Sequence, residues 1–428
     1  MEERKFYDIH CHAMNLSHPN FLAFLNRFES SVRTQGIKVF LGTNLLMAAY
    51  FILNPLCPKL LEVILKKTGI EGAVSRVKNL LALMENDLGA FFQFVEECLH
   101  EHIFTSGQLS IGSFTYNKLV LTPLIMDFGY KNMTNPSLHY FRKPIQKPVV
   151  EQVIDIFNGI KQFYSPESVG RILEIYPFLG INTANYSQEQ ISMMLEKYFS
   201  SYRGEESDLF TKLGKFDGDI EQMRSNFFAG IKVYPPLGFD PWPSNQSELK
   251  KAESLYYYCE EKGIPITSHC SDGGFRVVDL KSAWEFTSPA RWEKVLQKYS
   301  GLKLNLAHFG NGRFSKKWSD KIVSLIEQYD QVYADFSCRG FDDDFYLSLH
   351  NLLHKGNDKT RERLMERVLF GSDFMINLLW MDSYCQYLKI FCDTPHFLAE
   401  EKDAFCCLNP KRFLFGTNLP KTQPKMVQ

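Results

Sequence analysis

The chain lacks a basic stripe, a membrane-length apolar run and a paired-cysteine motif. Its 428 residues carry 48 Lys and Arg against 49 Asp and Glu, a net charge of −1. Binding to phosphate backbones needs concentrated positive charge, so nucleic acid is excluded as the main partner. The most apolar stretch, Val39 to Leu53, contains Thr43 and Asn44 and ends at Asn54-Pro55. It is shorter than the ~20 residues a spanning helix needs, so no stable membrane span is expected. A buried or lid helix is the preferred reading, with peripheral membrane contact a minor alternative. Ten cysteines show no regular spacing and no C-x2-C pair. The charged N-terminus, Met-Glu-Glu-Arg-Lys, does not resemble a signal peptide. Reduced thiols in a cytoplasmic protein are expected.

What is present points to a large globular enzyme. Hydrophobic residues make up 45% and charged residues 23%, and 36 Phe with 20 Tyr predict aromatic-rich packing. Eight strand-like runs recur: Lys5 to His10, Leu119 to Asp127, Arg171 to Pro177, Gly230 to Tyr234, Pro265 to His269, Leu302 to His308, Gln331 to Phe336 and Val368 to Asp373. Helical patterns separate most of them, including Ser244 to Lys262 before Gly263, Ser288-Pro289 to Tyr299, Ser315 to Tyr329 and Phe345 to Arg367. Alternating strands and helices predict an α/β fold, a (β/α)8 TIM barrel with parallel strands.

The first crossover departs from that pattern. About 105 residues follow His12 before the second run, far more than a barrel crossover needs. Helical patterns fill it at Pro19 to Phe28, Leu45 to Leu53, Lys59 to Lys67, Val74 to Met84 and Leu88 to Leu99. The expected organisation is a barrel of residues 1–14 and 116–428, with a large helical insertion, 15–115, capping the end where barrel sites lie. His100 and His102, two apart near the last helix end, do not share a face and are expected in solvent.

The most informative residues are Asp8-Ile9-His10-Cys11-His12. Side chains alternate along a strand, so His10 and His12 point the same way and both can reach one metal ion. Cys11, like Cys270 beside His269, turns to the opposite face and packs. His269, His308 and Asp373 each end a later strand-like run. Imidazoles with a carboxylate suit zinc, and also iron, manganese or cobalt. Such an ion lowers the pKa of water, and an adjacent Asp can carry the proton. His350 and His354, four apart on one predicted helix face, are assigned to surface or core.

Taken in order, these residues resemble the amidohydrolase superfamily, in its amidohydrolase-related branch. The resemblance rests on His10-Cys11-His12, Gly-Ile-Lys232-Val-Tyr234-Pro-Pro, His269, Leu-Ala-His308-Phe-Gly, Gly-Ser-Asp373-Phe and the closing Leu408-Asn-Pro-Lys-Arg-Phe-Leu-Phe-Gly416. A lone H-x-H is weak evidence, whereas five motifs in order on the expected strands are specific. The resemblance implies one divalent ion, zinc first among the candidates, held by His10, His12, His269 and Asp373. It makes Asp373 the proton shuttle and His308 the group that stabilises the oxyanion. If Lys232 is carbamylated it bridges a second ion, with His269 and His308 on that ion.

The function so implied is hydrolysis of an amide, ester or lactone bond in a small molecule by metal-activated water. Decarboxylation of a small aromatic acid is the first alternative, and a non-catalytic scaffold on the same barrel is the second. Arg276 and Arg339, predicted on the same face, can grip a substrate carboxylate or pair with a surface acid such as Asp342. Tyr234 can donate to an oxyanion or simply pack. A homo-oligomer is compatible with this architecture.

Overall fold

The computed structural model describes residues 4–18, 71–128, 149–164, 170–206, 227–272, 274, 276, 278–312 and 315–416. The expected helices Pro19 to Phe28, Leu45 to Leu53 and Lys59 to Lys67 lie outside the described residues.

The strands of the parallel sheets are short and mostly buried, as expected where both faces of a parallel sheet are covered. In chain order the described strands are β1 (Lys5–Cys11), β2 (Leu109–Ile111), β3 (Phe114–Tyr116), β4 (Lys118–Pro123), β5 (Leu173–Ile175), β6 (Phe178–Gly180), β7 (Gly230–Val233), β8 (Ile266–Ser268), β9 (Leu304–Leu306), β10 (Val332–Asp335) and β11 (Val368–Leu369). One parallel sheet runs β1-β4-β5 and another β11-β10-β9-β8-β7-β6, while β2 and β3 form an antiparallel hairpin. The fold is therefore α/β with parallel sheets. Parallel bridges join the two sheets at both edges, Leu124 to Phe178 and Cys11 to Phe374. At the second junction Ile9 N–H donates to Phe370 O at 3.3 Å and Asp373 N–H to His10 O at 2.7 Å.

All eight expected strand positions carry strand; the first runs one residue further, to Cys11, and the other seven are shorter. The third is split: β5 pairs with β4 and β6 with β7. Tyr176-Pro177 separates the halves, and proline has no N–H to continue a ladder. The expected helix over Phe345 to Arg367 is two helices, Asp343–Leu353 and Asp358–Met365. Gly356, at φ 107°, stops the first, and Asn357 caps the second by accepting from Thr360 N–H. The 246–262 helix starts one cap later than the sequence suggested, at Asn245, and ends on Gly263 at φ 66°.

The helices cover the sheets through apolar stripes. In Val149–Phe163, Val149, Val153, Ile156, Phe157, Ile160 and Phe163 are buried at helical spacing. Leu88–His102 packs beside it and also against Tyr384–Asp393. Its Glu96 accepts from the backbone N–H groups of Ile172 and Leu173 at 2.7 and 2.9 Å. Cys98 and Cys385 join these first and last helices as a disulfide with Cα atoms 6.4 Å apart. The expectation of ten reduced thiols thus holds for seven described cysteines and fails for this pair. The partners are 287 residues apart, so only the packing of the two helices brings them together. Cys11 and Cys270 are buried, and His100 and His102 are exposed, as expected. Among the described residues no helix is long and apolar enough to cross a membrane.

Gly371 lets the end of β11 approach β1. A Cβ there would lie 2.8 Å from the His10 Cβ and 3.1 Å from the Ser337 Cβ. Both neighbours are buried, so neither can yield without disturbing the strands. Gly371→Ala is expected to lower stability by about 1–3 kcal/mol through overpacking, read from urea unfolding midpoints.

Candidate metal centre

β1 delivers His10 and His12, and the segment after β11 delivers Asp373; all three are buried. Asp373 sits at φ 58°, a conformation disfavoured for a residue with a Cβ, which turns its carboxylate toward β1. Its Oδ1 lies 3.2 Å from His12 Nε2 and 3.5 Å from His10 Nε2.

The hydrogen-bond partners decide where the imidazole protons are. His12 Nδ1 is 3.0 Å from the Leu124 carbonyl oxygen, which can only accept, so Nδ1 carries the hydrogen. His10 Nδ1 is 3.0 Å from Asp335 Oδ2. Burial holds the Asp335 carboxyl back from ionising, but its hydrogen bond and charge interaction with His10, with help from His308 and Ser337, keep it well below the usual carboxylate range. His10 therefore also carries its hydrogen on Nδ1. Burial, reinforced by Lys232, lowers the His10 pKa to about 3, so the ring is neutral. Each Nε2 then presents a lone pair, and that of His10 is buried with no hydrogen-bond partner.

Three acceptor atoms thus converge with no proton to share among them. A divalent cation resolves that conflict, and the donor set of two imidazoles and one carboxylate suits it. His10, His12 and Asp373 form one of two groups among the described residues whose atoms lie close enough to hold an ion. The other group is His10, His308 and Asp335. It is already joined by hydrogen bonds: Asp335 also accepts from Asn305 Nδ2 at 2.7 Å and from His308 N–H at 3.0 Å. An ion there would have to displace them.

His308 and His269 form a second pair of rings. His308, at φ 61°, places Nδ1 3.1 Å from the Ser337 carbonyl oxygen, so Nδ1 donates. Its Nε2 lies 3.0 Å from His269 Nδ1. With both rings neutral, His269 donates from Nδ1 and its Nε2 accepts from the Ser271 hydroxyl at 3.1 Å. His269 belongs to neither metal-capable group among the described residues, and its Nδ1 meets His308 instead. The His308 ring stands 4.8 Å from the His10 ring, against the candidate centre.

The remaining expected residues divide. Lys232 is buried on β7 with no hydrogen-bond partner for Nζ, and burial lowers its pKa to about 8, against the pull of Asp335 and Asp373. Tyr234 stacks on His269 with ring centres 4.4 Å apart. Gly274, at φ 93°, leaves room for its hydroxyl: a Cβ there would lie 2.0 Å away. Arg276 is half-buried in the loop after β8. Arg339 is half-buried with its guanidinium 5.0 Å from the Phe345 ring centre. Asp342, considered as its surface partner, instead caps Asp343–Leu353 by accepting from Phe345 N–H. His350 and His354 stack at 3.9 Å, and His354 pairs with Glu401 at 3.1 Å, outside both groups.

Sequence reasoning missed Asp335 and Ser337. Ser337 Oγ touches His10 Nδ1 at 3.1 Å and His308 Nδ1 at 2.9 Å, and donates to Asp335. The available signal was an aspartate closing the apolar run Val-Tyr-Ala-Asp, since a carboxylate at a buried strand end requires partners.

Fold and site together define an α/β protein with a buried two-histidine, one-carboxylate cluster at strand ends. The amidohydrolase family model matches residues 216–416, which include Lys232, His269, His308 and Asp373. Over these residues, just under half of its length, the chain is similar to the amidohydrolase family. No curated protein matches it. Similar solved structures include a protein assigned as a 2-pyrone-4,6-dicarboxylic acid hydrolase in Acinetobacter baumannii, 12% identical, covering 70% of this chain and 84% of that one, with a TM-score of 0.39. A protein assigned as a metal-dependent hydrolase in Lactobacillus casei ATCC 334 is 15% identical over 95% and 93% of the two chains, with a TM-score of 0.38. An amidohydrolase from Mycobacterium avium subsp. paratuberculosis K-10 is 12% identical over 70% and 71%, with a TM-score of 0.35. At these scores the structural likeness carries no argument of its own.

Asp335 is the group on which both ring pairs lean. Asp335→Ala removes a buried carboxylate and strands the His10 Nδ1–H, the Asn305 amide and the His308 N–H. Hydrogen bonds to a charged group contribute about 1.5–3 kcal/mol, so a stability loss on the order of 3 kcal/mol is expected in urea unfolding.

Proposed function

We propose that the chain is a metal-dependent hydrolase of an amide, ester or lactone bond in a small molecule, working at His10, His12 and Asp373. The observation that carries this reading is the meeting of the His10 and His12 Nε2 lone pairs with Asp373 Oδ1 within 3.5 Å, in burial. We assign one divalent ion to these three residues, zinc before iron, manganese or cobalt. Such an ion polarises a carbonyl and lowers the pKa of water.

The chain's own groups do the rest. Asp373, with one oxygen facing the imidazoles, takes the proton of the attacking water and returns it to the leaving group. His308, its ring centre 4.8 Å from that of His10, is assigned to stabilise the developing oxyanion, which requires a hydrogen on its Nε2 in place of the bond it accepts from His269. For His269 to join the ion instead, its hydrogen bond to His308 must break. Lys232, buried and without a hydrogen-bond partner for Nζ among the described residues, can face the substrate carbonyl or a carboxylate, with Tyr234 beside it. If Lys232 is carbamylated, a second ion follows. Arg276 and Arg339 are proposed to hold an anionic part of the substrate.

We also propose that the two sheets close into a (β/α)8 barrel, supported by the parallel bridges at both edges. Residues 15–115 are proposed as a helical cap insertion in the first crossover. Within it Leu88–His102 packs on two neighbouring helices. A cytoplasmic location is proposed from the seven described free thiols.

Decarboxylation of a small aromatic acid is the second reading, favoured by the unpartnered Lys232, which would suit a substrate carboxylate. Elemental analysis of protein purified without added metal is expected to find about one ion per chain, lost in His12→Ala. Two ions would support the carbamylated Lys232. No ion, even after reconstitution with zinc, manganese or iron, would overturn the enzyme mechanism and favour a scaffold. Asp373→Asn is expected to lower kcat by about 10²–10⁴, the usual worth of a positioned acid–base group, while leaving stability intact. Carbon dioxide release from aromatic acids, with no turnover of esters, lactones or amides, would exchange the first reading for the second.

A further inference from the structure

Asp8 precedes His10 by two residues and is fully buried. Four donors converge on its carboxylate. Oδ1 accepts from Ser372 N–H at 2.9 Å and from His10 N–H at 3.2 Å. Oδ2 accepts from the Ser372 hydroxyl at 2.5 Å and from the Tyr384 hydroxyl at 3.1 Å. The Ser372 hydroxyl in turn accepts from Phe374 N–H at 2.9 Å. The residues on both sides of Asp373, and the backbone of His10, are therefore tied to one buried carboxylate.

That tie adds to the backbone bonds that join β1 to this segment, Asp373 N–H to His10 O among them. The pairing of β1 with β4 shifts register between Asp8 and Cys11, so regular strand bonds do not position His10 on that side. β11 is only two residues long and ends before Asp373. The left-handed backbone of Asp373 must also be over-determined by its surroundings to persist. Tyr384 opens the helix Tyr384–Asp393, so the same carboxylate fastens an outer helix to the turn.

We infer that Asp8 is a positioning residue of the metal centre, locking β1 to the Ser372–Phe374 turn so that the lone pairs of His10 and His12 meet Asp373. It does not bond to the ligand atoms Nε2 and Oδ1 themselves. This inference rests on the metal reading given above. Asp8→Asn keeps one oxygen for the two backbone N–H groups but turns a second acceptor into a donor facing two hydroxyls.

The test is zinc affinity by chelator competition, the visible spectrum of the cobalt-substituted protein, and thermal melting of the metal-free chain. Outer partners of metal ligands typically contribute about 10–100-fold in affinity, and Asp8→Asn is expected to lose that much with an altered cobalt spectrum. An unchanged zinc affinity and cobalt spectrum, with only a lower melting temperature, would show a merely structural role and overturn the inference. Where Asp8→Asn does not fold, Ser372→Ala decides, since it removes the hydroxyl link and keeps the backbone one. Weaker zinc binding by this variant supports the lock, and wild-type affinity overturns it. A wild-type chain that binds no zinc or cobalt fails the metal reading itself, before any variant is compared.

Discussion

The centre depends on the location of two imidazole protons. A carbonyl oxygen at Leu124 and a carboxylate at Asp335 hold hydrogens on the Nδ1 atoms of His12 and His10. Everything the cluster can do follows from that. With the protons on the far side, two lone pairs and a carboxylate oxygen face one another, an arrangement unfavourable for a protein alone and favourable around a cation. Reversed tautomers would give ordinary imidazole–carboxylate hydrogen bonds and a closed, inert knot of polar residues.

The fold supplies these partners from separate segments. Leu124 follows β4, Asp335 ends β10 and Asp373 follows β11, while the imidazoles come from β1. Parallel strands bring their C-terminal ends to one side, so groups far apart in sequence meet there. The same geometry sets His269 and His308 beside them, with Ser337 between the two ring pairs. Buried polar groups in such a network are costly when unpaired, which makes the cluster intolerant of losing any one member.

Strand positions were legible because each is an apolar run bounded by turn residues, and the ligand motifs fall at their ends. Their lengths were not, since hydrophobicity continues into loops that are buried but make no ladder, as after β4 and β11. The hairpin of β2 and β3 went unread because strands of three residues carry too little pattern to stand out from the helical segments around them. The break before Asn357 was visible in principle, as Gly followed by Asn is both a helix stop and a helix start. The Cys98–Cys385 pair was not visible, for nothing in the spacing of ten cysteines singles it out.

The sequence by itself determined the order of the candidate ligands and the resemblance to amidohydrolases, because both are written in short motifs at strand ends. It determined the α/β class for the same reason, through the alternation of apolar runs and amphipathic stretches. Only the tertiary structure decided which histidine nitrogens meet which partners. His10 and His12 face Asp373, whereas His269 is turned to His308. That distinction rests on hydrogen-bond partners contributed by other strands, and a hydrogen bond between distant segments exists only once the chain has folded.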